Sequence, residues 1–227
     1  MLTRLKRPEI IFFFWCFLAL AALLPVTNLL HGTFPIFTVL WLLVPLIVVV
    51  FSKDSGKVGF RAIPRGELVW VTVLNLGGLF LVMLLVEPWS HTYQMLIESA
   101  LSTQPPDTTF AWLLRFNRML ALGGMFFYSG LVTLFGEELF FRGWLLQFLL
   151  IRWGRLWAVT FQALLFTLPN LLVTFVLPPI QGILYALVYT FLGIGIIGGW
   201  AASRTQSIWP SLISATIANF LFVAWLA

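Results

Sequence analysis

GEELFFRGWLLQFLL, residues 136–150, sets two adjacent carboxylates, Glu137 and Glu138, and one arginine, Arg142, inside an almost wholly apolar stretch. Upstream runs MLALGGMFFYSGLVTLF, so no loop composition surrounds the charges. A charge at bilayer depth costs about 2.5–3.5 kcal/mol on insertion scales and needs a partner or a task. On a helix Glu138 and Arg142 are i,i+4 neighbours and can pair. Glu137 projects about 100° away around the same helix, and Arg142, five residues on, points elsewhere. One carboxylate is therefore neutralised and one is available, an asymmetry that marks a candidate site.

Composition fixes the surroundings of that site. Of the 227 residues, 61% are hydrophobic and 9% are charged, against about 25% charged in a soluble domain. The chain is accordingly expected to be all-α, a polytopic transmembrane helical bundle forming a single integral membrane domain over residues 1–227. The net charge of +5 is scattered through short loops rather than gathered in a stripe, so membrane lipids are expected partners and nucleic acid is not. The one cysteine, Cys16, lies in the first apolar run and leaves no intramolecular disulfide or CxxC metal site.

About seven spans follow. Arg4, Lys6 and Arg7 precede the apolar run 10–30, where Ala19-Leu20-Ala21 mimics a signal cleavage site. The apolar stretch continues past it, so it reads as a retained first span. Residues 34–51 form the second span and 68–86 the third. Residues 110–150 are too long for one crossing at about 1.5 Å per residue. Arg115 and Arg118 fit an outer interfacial helix, followed by a long or kinked span carrying Glu137, Glu138 and Arg142. Residues 156–177, 181–202 and 208–227 complete the set, with the Pro178-Pro179 break between the first two and Pro210 in the first turn of the last.

Two asparagines lie inside these later spans. Asn170 follows Pro169 in the middle of span five. Asn219 sits in the last span on the face that carries Ala215 and, less closely, Thr216. A proline break at membrane depth is tolerated where it faces protein or a wet cavity. Each asparagine alone reads as an interhelical hydrogen bond worth about 0.6 kcal/mol. Together with a free glutamate they point to motif helices grouped around a polar intramembrane cavity.

At these residues the chain resembles a known family. Glu137-Glu138-Leu139-Phe140-Phe141-Arg142-Gly143 is similar to the EExxxR motif of the CPBP family, the CAAX-processing and bacteriocin-processing (Abi-type) intramembrane endopeptidases. The stretch YTFLGIGIIGGWAASRTQSIWPSLISATIAN, residues 189–219, resembles that family's glycine-rich helix, S-[IL]-W-P turn and last motif helix. FTLPN, residues 166–170, occupies the place of its FxxxH motif. The resemblance covers about residues 120–222. It departs from the family at both motif histidines, where Asn170 and Ala215 stand, while Asn219 is retained. His31 and His91, the only histidines, fall in or near outer-face loops.

The resemblance implies peptide-bond cleavage within the membrane, with Glu137 as general base, Glu138 and Arg142 as the pair that positions it, and Asn219 as an oxyanion donor. Asn170 can donate or accept a hydrogen bond but cannot shuttle protons. Zinc is not expected, because two carboxylates and two amides form a poor site for an ion that prefers nitrogen and sulfur. No other cofactor is expected. Three functions stay open: an endopeptidase acting on membrane-tethered CAAX-type or leader-type peptides; a catalytically degenerate relative that binds them as an adaptor or immunity protein; and a proton-coupled transporter-like protein. Against the last, no internal repeat is visible. Whether the chain cuts peptides is left open by the residues themselves.

Orientation follows from charge. Residues 52–66 carry Lys53, Lys57, Arg61 and Arg65 against Asp54 alone, whereas 87–109 carry Glu87, Glu98 and Asp107 without a lysine or arginine. The N-terminus and the 52–66 loop are therefore expected in the cytoplasm and 87–109 outside. A reporter enzyme fused after Arg155 should read as cytoplasmic; an external signal there would invert the whole assignment.

Overall fold

The structure is a computed structural model that describes residues 59–96, 135–171 and 177–226, all within one unit, Thr38–Ala227. Of these residues 87% are helical and none forms a strand, which places the protein in the all-α class. Five helices carry the described fold. Helix α1 is Arg65–Ser90. Helix α2 covers 135–150 and begins as α over Phe135–Glu137, winds as a π-helix over Glu138–Leu145, and returns to α over Leu146–Leu150. Helix α3 is Arg155–Asn170. Helix α4, Pro179–Thr205, contains a second π-helical stretch at Tyr185–Ile197. Helix α5 is Trp209–Leu226.

Prolines and left-handed residues punctuate these helices. Pro64 stands just before α1, and its carbonyl accepts the Leu68 N–H at 2.9 Å. Pro179 opens α4 and Pro210 lies in the first turn of α5, where a missing N–H costs nothing. At the other ends, His91 (φ 51°) and Gln206 (φ 52°) adopt the left-handed conformation that stops a helix. The predicted first and second spans, the interfacial helix with Arg115 and Arg118, Cys16 and His31 lie outside the described residues.

Helices α1 and α4 are long and apolar enough to cross a membrane by length and composition, and Arg155–Leu168 and Trp209–Phe222 are shorter apolar helices. The bundle is turned inside out relative to a water-soluble one. Leu156, Trp157 and Ile180 are 75%, 69% and 68% exposed, while Asn75, Glu138, Arg142, Gln162 and Ser214 are buried. An apolar solvent selects that distribution, because it rewards apolar surface and forces polar groups to find partners within the protein.

Packing proceeds in two clusters. Leu79, Met83 and Val86 of α1 meet Tyr189 of α4 and Ala218 and Phe222 of α5. Leu146 and Leu149 of α2 meet Ala158 and Val159 of α3 and Ala202 of α4. Close approach of α3 to α4 depends on Gly195, where a Cβ would lie 2.8 Å from the Ala163 Cβ and 3.0 Å from the Thr190 carbonyl oxygen. Small residues permit this kind of contact between helices in a membrane. Gly195→Ala should therefore lower stability by about 1–3 kcal/mol through overpacking. Gly77→Ala on α1, where a Cβ would meet nothing within 4 Å, should leave it unchanged or raise it slightly. Thermal unfolding of the two variants in detergent checks the contrast.

Candidate functional site

The acid end of the site is an ion pair. Arg142 Nη1 lies 3.1 Å from Glu138 Oε1, and the two side chains are 0% and 1% exposed. Ser211 of α5 donates its hydroxyl to Glu138 Oε2 at 2.5 Å, so both carboxylate oxygens are engaged. Arg142 Nη2 donates to the Ile194 carbonyl of α4 at 2.7 Å, and the guanidinium lies 4.1 Å from the centre of the Phe166 ring on α3. Phe141 meets the same ring edge-on at 5.1 Å. Ile194 lies within the π-helical stretch of α4, where the usual i→i+4 ladder is interrupted and a carbonyl can turn to an outside donor. Gly198 lies beside the guanidinium: a Cβ there would make ordinary contact, 3.7 Å from both Nε and Nη2. One arginine thus touches α2, α3 and α4, and its carboxylate partner reaches α5.

Glu137 differs from its neighbour. It is half-buried, and among the described residues no hydrogen bond or ion pair holds its carboxylate. Arg142, Glu138 and Tyr185 interact with it electrostatically. The expectation that Arg142 points away from Glu137 assumed α-helical winding. The π-helix that begins at Glu138 brings residues five apart closer to one face, so the charge of Arg142 acts on both carboxylates.

The amide end is built by tyrosines. Asn170 is the last residue of α3, and residues 172–176 of the expected span lie outside the described residues. Its Nδ2 donates to the Phe166 carbonyl at 3.0 Å, and the Tyr185 hydroxyl donates to its Oδ1 at 3.5 Å. The Tyr93 hydroxyl donates to Asn219 Oδ1 at 3.0 Å. Ala215, one turn before Asn219, is buried. Among the described residues no hydrogen bond joins Glu137 to either asparagine. Ser211, which holds Glu138, and Asn219 are eight residues apart on α5, about 12 Å along its axis.

Four residues of this end, Glu87, Tyr93, Tyr185 and Tyr189, are not among those the sequence singles out. Glu87 was assigned to an outer loop; it is 2% exposed at the end of α1. Its carboxylate accepts the Tyr189 hydroxyl at 2.6 Å and the backbone N–H groups of Tyr93 and Gln94, each at 2.9 Å. Burial, with the Glu87 charge beside it, pushes the Tyr93 phenol up to about 12. The available signal was scarcity: the chain has four tyrosines, and three of them, Tyr93, Tyr185 and Tyr189, supply hydroxyls here. A further polar contact, Asn75 Nδ2 to Ser214 Oγ, ties α1 to α5 between the two ends.

A helical bundle with many exposed apolar side chains and a buried glutamate–arginine ion pair suits an apolar surrounding, and a comparison with known families narrows the reading. The family model described as type II CAAX prenyl endopeptidase Rce1-like matches residues 119–221. The matched segment includes both carboxylates, Arg142 and both asparagines, and so supports the resemblance to the CPBP family. No curated protein and no solved structure matches the chain.

The ion pair makes a direct demand on stability. Removing one partner of a buried pair leaves an uncompensated charge, so Arg142→Leu should destabilise by about 3–5 kcal/mol. Combining it with Glu138→Leu should recover a large part of that loss. Unfolding midpoints of the single and double variants measure both, and a single variant as stable as the parent would remove the pair from its structural role.

Proposed function

We propose that this protein is an integral membrane, multi-pass endopeptidase of the CPBP type, acting on membrane-tethered peptides of the CAAX or leader class, with Glu137 as its general base. One observation carries the reading: of two adjacent carboxylates in an apolar bundle, Glu138 has both oxygens engaged by Arg142 and Ser211, and Glu137 has neither engaged among the described residues. A glutamate held in place by its neighbour's ion pair, yet unpartnered itself, suits water activation.

In this reaction Glu137 takes a proton from water as the oxygen attacks the scissile carbonyl, then delivers it to the departing amine. The Asn219 amide donates to the developing oxyanion, an interaction whose loss typically costs about 10²–10³ in rate. Asn170 orients substrate or water by hydrogen bonding. Glu138 and Arg142 set the direction of Glu137. A metal does not suit the donors present, since Glu138 is consumed by its ion pair and the others are one carboxylate and two amides. Among the described residues no group of three or more His, Cys, Asp or Glu could hold a metal. No step of the proposed reaction passes through one.

A second reading has its own support. Asn170 and Ala215 stand where the family resemblance places histidines, and neither can pass a proton. In that reading the same residues bind the peptide without cutting it. The two separate cleanly with the full chain in lipid nanodiscs and a prenylated CAAX peptide. An enzyme cleaves it, and Glu137→Gln slows cleavage by at least about 100-fold while leaving peptide affinity in place. A binder retains the peptide uncut in both forms. Neither cleavage nor binding by the parent chain would end both readings.

A further inference from the structure

Asn219 can serve an oxyanion only if its amide is held still. The terminal torsion of an asparagine is broad and roughly two-fold, so an unanchored side chain presents N–H or C=O to the cavity almost indifferently. Donors contribute to catalysis when they are aimed before the charge develops. An anchor on the carbonyl end is therefore a functional requirement, and α5 supplies none: among the described residues, the partner of Asn219 Oδ1 is Tyr93 Oη at 3.0 Å, 126 residues away in sequence.

Tyr93 is itself held on several sides. Its backbone N–H donates to Glu87 Oε2 at 2.9 Å, and the next residue's N–H donates to Glu87 Oε1 at 2.9 Å. The Tyr189 hydroxyl completes the carboxylate's set at 2.6 Å. The Tyr93 ring lies 6.2 Å from the Tyr189 ring and edge-on to Phe222 at 6.1 Å. This arrangement starts where α1 stops: His91 turns left-handed, with its N–H on the Glu87 carbonyl at 2.9 Å, and residues 92–96 begin a new helical turn.

From this geometry we infer that Tyr93 is a positioning residue for Asn219: its hydroxyl, braced by the buried Glu87 carboxylate, fixes the amide carbonyl and so determines where the amide N–H groups point. The inference rests on the role given to Asn219 in the proposed reaction. It extends the working site to the C-terminal end of α1, a helix that lies outside the matched segment 119–221.

Two measurements decide it. In the cleavage assay Tyr93→Phe should lower kcat about five- to tenfold, the worth of one hydrogen bond, with KM unchanged. In an Asn219→Ala background the same substitution should cost nothing further, because coupled residues are not additive. A loss that adds in full to that of Asn219→Ala, or that falls on KM, overturns the inference. The second readout needs no activity. With the chain's five asparagines labelled with ¹⁵N in their side chains, Tyr93→Phe should move the Asn219 amide signal, identified by its disappearance in Asn219→Ala. An unmoved signal overturns the inference. If the parent chain cleaves nothing, the endopeptidase reading fails alone, and the amide signal still decides whether Tyr93 sets Asn219.

Discussion

The Glu138–Arg142 pair is the constraint around which the bundle is arranged. Two charges with essentially no exposed surface must be compensated by geometry, and the compensation comes from four helices. Ser211 of α5 covers one carboxylate oxygen, Ile194 of α4 accepts one guanidinium nitrogen, and Phe166 of α3 lies beneath the guanidinium plane. Each partner is useful only if its own helix is at the right depth and rotation. The pair thereby turns a set of apolar helices, which could slide past one another with little penalty, into one arrangement. This is the specificity role that buried ionic groups can play, and it leaves Glu137 at a fixed place.

The rest of the interior follows the same economy. A chain with 9% charged residues has few polar groups to place in an apolar interior, and several of them pair across the fold. Asn75 meets Ser214, Tyr185 meets Asn170, Tyr93 meets Asn219, and Tyr189 meets Glu87. Tyrosine is well suited to this work, because its ring packs among apolar side chains while its hydroxyl reaches a polar partner. The acid end and the amide end are thus built differently, one from full charges and one from neutral hydrogen bonds with a single carboxylate behind them.

Much of this was legible in the sequence where the determining interaction is local. The i,i+4 spacing of Glu138 and Arg142, the start of α5 at Trp209-Pro210, and the break at Pro178-Pro179 all depend on residues within a turn or two of each other. The segment that carries the acid pair and both asparagines was also recognisable, since EELFFRG and its following segments keep their order. What escaped was non-local or depended on winding. Periodicity cannot show that Tyr93 reaches Asn219, or that Glu87, just past the end of an apolar run, turns inward to collect two backbone N–H groups. The proximity of Arg142 to Glu137 depends on a π-helix, whose side chains are the same as those of an α-helix.

That winding has a consequence for how the segment tolerates change in length. A turn closed by i→i+5 bonds holds one residue more than an α turn, so α2 accommodates a surplus residue between the half that carries Glu137 and the half anchored near Leu146 and Leu149. Deleting any one residue in the middle of it would leave the composition almost untouched and permit a regular α-helix. The two halves would keep their relative rotation, because the surplus residue of the wide turn offsets about 100° of α-helical twist, but the winding that brings Arg142 toward Glu137 would be lost. In this stretch the register is as much a determinant of the site as the identity of its side chains, and point substitutions are the gentler form of variation.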